Sequence, residues 1–404
     1  ANMNAVARRR LLKDLFSTGK NGIGISYLRL SIGASDLSAS TFTYNDMPPG
    51  QTDPALKHFD LRAGDKEVIP AVKQILKINP DVKFMGSPWT APPWMKTNDS
   101  FIAGELKPEC YPDYARYIVK YIEGMKKEGI PIHSLTPQNE PHNPKNEPSM
   151  LMNAAQQAEF IGKHLGPALQ AAKLPTEIFS WDHNCDAPEY PLAILDDPVA
   201  RPYVGGTAWH LYYGDISALS RVHDAYPDKK TYFTEQWVSA SDKFAGTLKW
   251  HAGNVLIGSI RNWSQVVLEW NLAADSASKP YTPGGCTSCK GGVTIDGDAY
   301  SRNVGYYLIG HAAKFVPPGS VRIGSDLPAG LPNVAFKTPD DRIVLIVLNN
   351  GDTSRRFNVE QSGTKIPKTA LELPSGALAT CTWTPKPSRL QEFNKSPIAL
   401  MTMK

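Results

Sequence analysis

Residues 111–141 read YPDYARYIVKYIEGMKKEGIPIHSLTPQNEP. Tyr114, Tyr117, Ile118, Tyr121, Ile122 and Met125 recur at spacings of three and four, which puts them on one apolar face of a helix over 111–127. Pro112-Asp113 marks its start and Gly129 its stop. The pattern then changes to a short β-rich run at 132–136, and the chain leaves that run through Pro-Gln-Asn-Glu140-Pro. A helix, a strand and a carboxylate at the strand's exit make one unit for which the rest of the chain can be searched.

Further β-rich runs lie at 24–31, 82–87, 177–181, 204–209, 231–234 and 265–270, with helix-patterned sequence between them. Together with 132–136 they predict an α/β chain built on a (β/α)8 TIM barrel, of which seven strands can be named. An open doubly wound sheet would want a Gly-rich phosphate turn after its first strand, and neither GxGxxG nor a P-loop follows 24–31. After a last helix near 300–315, short alternating runs at 334–337, 343–349, 356–359 and 379–383 are broken by Pro and Gly. They predict a small antiparallel β-sandwich side domain. The expected division is a catalytic barrel over 1–315, the side domain over 316–388 and a tail over 389–404, loose or foreign to the fold.

The 404 residues suffice for both domains, and 41% hydrophobic with 20% charged residues describes a folded globular chain. Subtracting 39 acids from 43 bases leaves +4, scattered rather than gathered into a stripe for phosphates, so no nucleic-acid partner is expected. The densest basic run, Arg8-Arg9-Arg10, sits among Leu11, Leu12, Leu15 and Phe16 at helical spacing and reads as a solvated helix face. No run approaches the roughly 20 apolar residues of a membrane span, and no apolar signal core opens the sequence.

In a barrel the reactive groups gather where the strands end. Read in strand order, those ends hold Arg29 and Asp36, then Trp89, Asn139-Glu140, Asp182-His183-Asn184, His210 with Tyr212, Glu235, and Glu269-Trp270-Asn271. A single glutamate there would read as a salt bridge or a helix cap. Two of them, Glu140 and Glu235, closing apolar strands with aromatics nearby, read as the carboxyl pair of glycoside hydrolysis. One protonates the leaving oxygen; the other attacks the anomeric carbon or activates water. Trp89, Trp94, Trp181, Trp237 and Trp270 are each explicable as core. Their gathering at strand ends suggests platforms for the apolar C–H face of a sugar. His210 reads equally as a structural histidine and as a hydroxyl-binding one.

No HExxH or His-x-His occurs, so no metal or other cofactor is expected, and no GxSxG elbow offers a serine nucleophile. Of the five cysteines only Cys286 and Cys289 lie close together, in a Gly/Pro-rich loop without a second CxxC. A loop-stapling disulfide is preferred over zinc, and it would suit an oxidising compartment.

These residues resemble glycoside hydrolase family 30, relatives of glucosylceramidase among the retaining barrel glycosidases. The resemblance spans 22–383 and rests on GISYLRLSIGASDLS with TFTYND, FMGSPWTAPPWMKTN, SLTPQNEP, WHLYYGD, YFTEQW and LEWNLA in that order. It implies a barrel flanked by a β domain and double-displacement hydrolysis, with Glu140 as acid/base and Glu235 as nucleophile. By the same resemblance Asn139 would bond the sugar 2-hydroxyl and Arg29 would keep the nucleophile ionised. Asp36, Trp89, His210, Tyr212 and Trp270 would line the substrate pocket, and Asp182, from its place at a strand end, is expected to bind substrate beside them. SYLRLSIGASDLS, FTEQW and the CTSC loop are more similar to the endo-β-1,6-glucanase branch than to the glucosylceramidase branch. The implied protein is a secreted or periplasmic monomer acting on a neutral polysaccharide or β-glucoside. The alternatives are a glucosylceramidase or exo-acting β-glucosidase, and a carbohydrate-binding protein without activity. The family's barrel begins with a Gly-Phe-Gly type strand, and nothing here corresponds to it, so the first barrel strand is expected to be missing.

Overall fold

A computed structural model describes residues 3–361, 369–385 and 400–403. Seven parallel strands form its central sheet: β1 (Tyr27–Ile32), β2 (Lys83–Pro88), β3 (Ser134–Leu135), β4 (Glu177–Cys185), β5 (Val204–Gly214), β6 (Lys230–Glu235) and β7 (Ser264–Val267). Each pairs with the next in sequence order. Among the described residues β1 and β7 do not pair with each other, so the sheet curls as a barrel lacking one strand, as the sequence predicts. Helices fill the connections. The helix Tyr111–Lys127 buries Tyr114, Tyr117, Ile118, Tyr121, Ile122 and Met125 against the barrel, the face its spacing predicts. Each such large side chain contributes about 1.5–3 kcal/mol by leaving water.

β4 and β5 run past the ends that periodicity assigns them. Their register shifts between Trp181 and His183 and again between Asn184 and Cys185. Irregularities of this kind re-aim side chains at barrel rims. Here Trp181 (φ 76°) and Asp182 (φ 66°) sit in the left-handed region that side-chain-bearing residues seldom adopt. The result is to turn Asp182 into the barrel's interior.

After β7 come β8 (Ala273–Ala274), β9 (Val293–Asp296) and β10 (Ala299–Arg302), a small sheet absent from the sequence reading. The last barrel helix is Val304–Ala313; Tyr300, expected at its start, belongs to β10. The side domain holds β11 (Val321–Ser325), β12 (Asn333–Lys337), β13 (Ile343–Leu348), β14 (Arg355–Gln361), β15 (Thr369–Leu373) and β16 (Leu378–Trp383). All six residues of β13 are buried, because the strand is covered on both faces. Val344, Ile346 and Leu348 pack with Leu256, Ile260 and Leu308 of the barrel's helices. Ile343, Leu345 and Val347 pack with Phe357 and Val359 inside the sandwich.

The tail needs correction. Residues 389–399 and 404 of it lie outside the described residues, but β17 (Leu400–Met403) joins the side-domain sheet, parallel to β11 and antiparallel to β14. Four residues are too few to show a period of two in sequence. Their strand character comes from the backbone groups of two neighbouring edges.

Candidate active site

Arg29, on β1, is the hub of the barrel's carboxyl end. Its Nη1 donates to Glu235 Oε2 at 2.8 Å, and its Nη2 donates to Asn139 Oδ1 at 2.6 Å and to Asp182 Oδ2 at 2.7 Å. The guanidinium also lies 4.7 Å from the Trp89 ring centroid, and Trp89 stacks on Trp270 at 5.3 Å. One planar cation thus fixes the exits of β3, β4 and β6 relative to β1, which a flexible ammonium could not do with the same geometry.

Glu140 follows β3 in the left-handed region (φ 45°), held there by its N–H donating to the Asp182 carbonyl at 3.0 Å. Its Oε1 meets His210 Nδ1 at 3.1 Å, and its Oε2 accepts from Asn143 Nδ2 at 2.7 Å and Asn146 Nδ2 at 3.3 Å. Glu235 ends β6, and its Oε1 accepts from the Tyr212 hydroxyl at 2.9 Å. One oxygen of Glu140, one of Glu235 and a ring nitrogen of His210 lie within 4.8 Å of one another. A cation could be ligated at such spacing. Arg29 and His210 already bring positive charge to these carboxylates, so the protein itself supplies what a metal would.

Charge bookkeeping explains the protonation pattern. Three buried carboxylates, Asp182, Glu140 and Glu235, face two buried bases, Arg29 and His210. Burial would raise the Asp182 carboxyl, but Arg29, His210 and Ser87 hold it well below the usual range. Burial would lower His210; the surrounding carboxylates Glu235, Asp182 and Glu140 push it up to about 9 instead. Burial would raise Glu140, and the His210 contact overrides it to about 2. Glu235 is raised, by burial above all and by Glu140 and Asp182, against the pull of His210 and Arg29. The opposed directions, His210 raised and Glu140 lowered, favour the proton on His210 across their hydrogen bond.

Comparison with known proteins accords with this geometry. The family model for the glycosyl hydrolase family 30 TIM-barrel domain matches residues 1–316, and that for the family's β-sandwich domain matches 319–381. The chain belongs to glycosyl hydrolase family 30. Among family 30 relatives, an endo-1,6-β-D-glucanase of Aspergillus fumigatus is 33% identical over 86% of this chain and 74% of its own length. The mouse lysosomal acid glucosylceramidase is 28% identical over 85% of this chain and 70% of its own. A solved endo-β1,6-glucanase superposes with TM-score 0.87 at 35% identity, covering 95% of this chain and 88% of that one.

In this family 30 site the structure gathers Arg29, Asp36, Trp89, Asn139, Glu140, His210, Tyr212, Glu235 and Trp270 around one space, and it corrects several readings. Asp182 does not face substrate. It is fully buried, and Arg29, Ser87, Thr136, Thr234 and His210 saturate its oxygens. His210 is also fully buried, with its ring nitrogens engaged by Glu140 and Asp182. Trp181 and Trp94 are core, the latter donating Nε1 to Asn45 Oδ1 at 3.0 Å. Trp89 is buried beneath Trp270, which keeps a half-exposed face.

Ser87, Thr136 and Thr234 went unread, yet they hold Asp182 in place. Their only signal is a hydroxyl at an inward position near each strand's end. Asn143 and Asn146 went unread because nothing in a loop sequence says which amide turns back toward Glu140. Cys286 and Cys289 form the expected disulfide. Burial and the charges of Glu235 and Glu140 raise the Asp36 carboxyl to about 7.

Proposed function

We propose that this chain is a retaining endo-β-1,6-glucanase, with Glu235 as nucleophile and Glu140 as acid/base. The observation that carries the reading is the pair itself: two strand-end carboxylates with an oxygen of each within 4.8 Å of the other, beside Tyr212, which donates to Glu235. Retaining glycosidases hold their carboxyls about 5–5.5 Å apart and inverting ones about 6.5–9.5 Å apart, to admit a water. Relatives named endo-1,6-β-glucanases, at 33% and 35% identity, support the linkage. The glucosylceramidase reading rests on relatives of lower identity, 28% for the mouse enzyme.

The sugar binds with its anomeric carbon facing Glu235. Arg29 and Tyr212 hold both carboxylate oxygens of Glu235, orient them and keep the nucleophile anionic as it attacks. Glu140 protonates the departing O6 of the next glucose, taking its proton along the 3.1 Å hydrogen bond from His210. Water, deprotonated by Glu140, then attacks the glucosyl-enzyme from the side the leaving group vacated. Two inversions give retention. Asn139, whose Oδ1 is taken by Arg29, has its NH2 left for the sugar 2-hydroxyl. Asp36 accepts from hydroxyls further round the ring. The disulfide supports an extracellular or periplasmic location. Among the described residues no helix is long and apolar enough to cross a membrane.

Two measurements test this. Incubated with a β-1,6-glucan, a β-1,3-glucan and glucosylceramide side by side, the protein should release short β-1,6-oligosaccharides from the first. Glucose as the sole early product would refute endo action, and turnover of glucosylceramide alone would install the second reading. The pH profile of kcat/KM should fall on the alkaline side near pH 9, where the His210–Glu140 pair loses its proton. An alkaline limb two or more units lower would remove His210 as the proton's resting place.

A further inference from the structure

The loop 275–292 carries the disulfide and reaches both sides of the site. On one side Thr282 donates to the Asp36 carbonyl twice, from its N at 2.9 Å and from its hydroxyl at 3.3 Å. On the other, Ala240 N donates to the Ser288 carbonyl and Lys290 N to the Val238 carbonyl, both at 2.8 Å, three to five residues beyond Glu235. A third tie runs to the loop after Glu140, where Gly284 N donates to Glu147 Oε2 at 3.1 Å. Cys286 and Cys289 close the turn between these anchors. Gly285 lets the loop come this near, since a Cβ there would stand 2.1 Å from the Asp36 carbonyl oxygen.

We propose that the Cys286–Cys289 disulfide is a positioning latch for the sugar pocket, holding Asp36 in place through the turn whose Thr282 and Gly285 close on the Asp36 carbonyl, and that a dithiol reductant releases it. The inference rests on the reading of Asp36 as a ligand of the sugar hydroxyls. A crosslink that closes a four-residue turn removes little entropy from the unfolded chain, so its effect is local rather than global. Cys289 is buried and Cys286 half-exposed, which makes Cys286 the sulfur open to attack. The thiolate of a dithiol attacks Cys286 Sγ, the S–S bond breaks, and Cys289 leaves as a thiolate that takes up a proton. The reductant's second thiolate displaces Cys286, which is protonated in turn. Two electrons and two protons reach the protein sulfurs, and the reductant becomes a cyclic disulfide.

With the latch open, residues 286–289 gain freedom between their anchors and the turn no longer fixes the Asp36 backbone. Binding that is equal in ground and transition states shows in KM alone. The test follows an aryl β-glucoside and a β-1,6-gluco-oligosaccharide before and after incubation with dithiothreitol, alongside the Cys286→Ser/Cys289→Ser double variant. Reduction should raise KM about tenfold, the scale of one hydrogen bond to a carboxylate, with kcat within about threefold. Reoxidation should restore it, and the melting temperature should move by no more than a few degrees. The double variant should match the reduced protein and ignore the reductant, and Gly285→Ala should raise KM with the disulfide intact. An unchanged KM on reduction, or a fall in kcat that tracks unfolding, would overturn the latch. Should the double variant fail to fold, the reversible reduction of the native protein still decides. Wild-type turnover of the aryl glucoside without any of the β-1,6-glucan would refute the linkage reading alone, and the latch would still be read on the aryl glucoside.

Discussion

Glu235→Gln should lower kcat on β-1,6-glucan by about 10⁴-fold or more, the scale on which removing a covalent nucleophile acts, equivalent to about 5 kcal/mol or more of barrier. The substitution keeps the side chain's volume and a carbonyl oxygen for the Tyr212 hydroxyl or Arg29, so it removes charge and nucleophilicity rather than packing. Arg29 retains Asp182, Asn139 and Ser87 as partners, and the melting temperature should stay within a few degrees of the native value. The assay is initial rate on a soluble β-1,6-oligosaccharide, followed as reducing ends. A second arm uses a 2-fluoro-glucosyl donor, whose electron-poor ring slows breakdown of the glucosyl-enzyme more than its formation. Native protein should gain one fluoroglucosyl mass, and a peptide digest should put it on the fragment holding Glu235. The variant should gain none. Near-native turnover by Glu235→Gln, or a label on another carboxylate, would remove Glu235 as the nucleophile.

The barrel was legible because its strands are short apolar runs with helices between them, and residues 111–136 show both periods without interruption. What could not be read were features created by tertiary contact. β4 and β5 run longer than their apolar cores because the barrel rim pairs polar residues such as Asn184 and His210 that a periodicity argument ends on. β17 owes its existence to the edges of β11 and β14. Within the site, Glu140 and Glu235 were visible as carboxylates closing apolar strands. Asp182 occupies the same kind of position, and only the register shift beside it decides that it turns inward, where five side chains saturate it. Residue type and strand position name the participants at such a rim; local backbone geometry decides which of them meets the substrate and which charges another.

Removing Glu140 separates the two half-reactions, because each asks something different of it. Glu140→Ala should lose about 10³-fold on β-1,6-glucan, within the range of a general acid, since O6 of a sugar is too basic to depart without a proton. A dinitrophenyl β-glucoside departs without one. On that substrate the variant should form the glucosyl-enzyme at a rate close to native, then stall, because no base remains to deprotonate water. A burst of dinitrophenolate followed by a slow steady state is the expected trace. Azide is a nucleophile that needs no base. The shortened side chain leaves it room, and His210, still paired to Asp182 through Nε2, offers positive charge where the carboxylate used to be. Added azide should therefore raise the steady state about 10-fold or more and yield β-glucosyl azide, the configuration that a second inversion at the glucosyl-enzyme requires. An α-azide would mean single displacement and would contradict the carboxyl spacing. No response to azide, with the burst also absent, would mean that Glu140 is not the acid/base, leaving the proton on His210 without the role assigned to it.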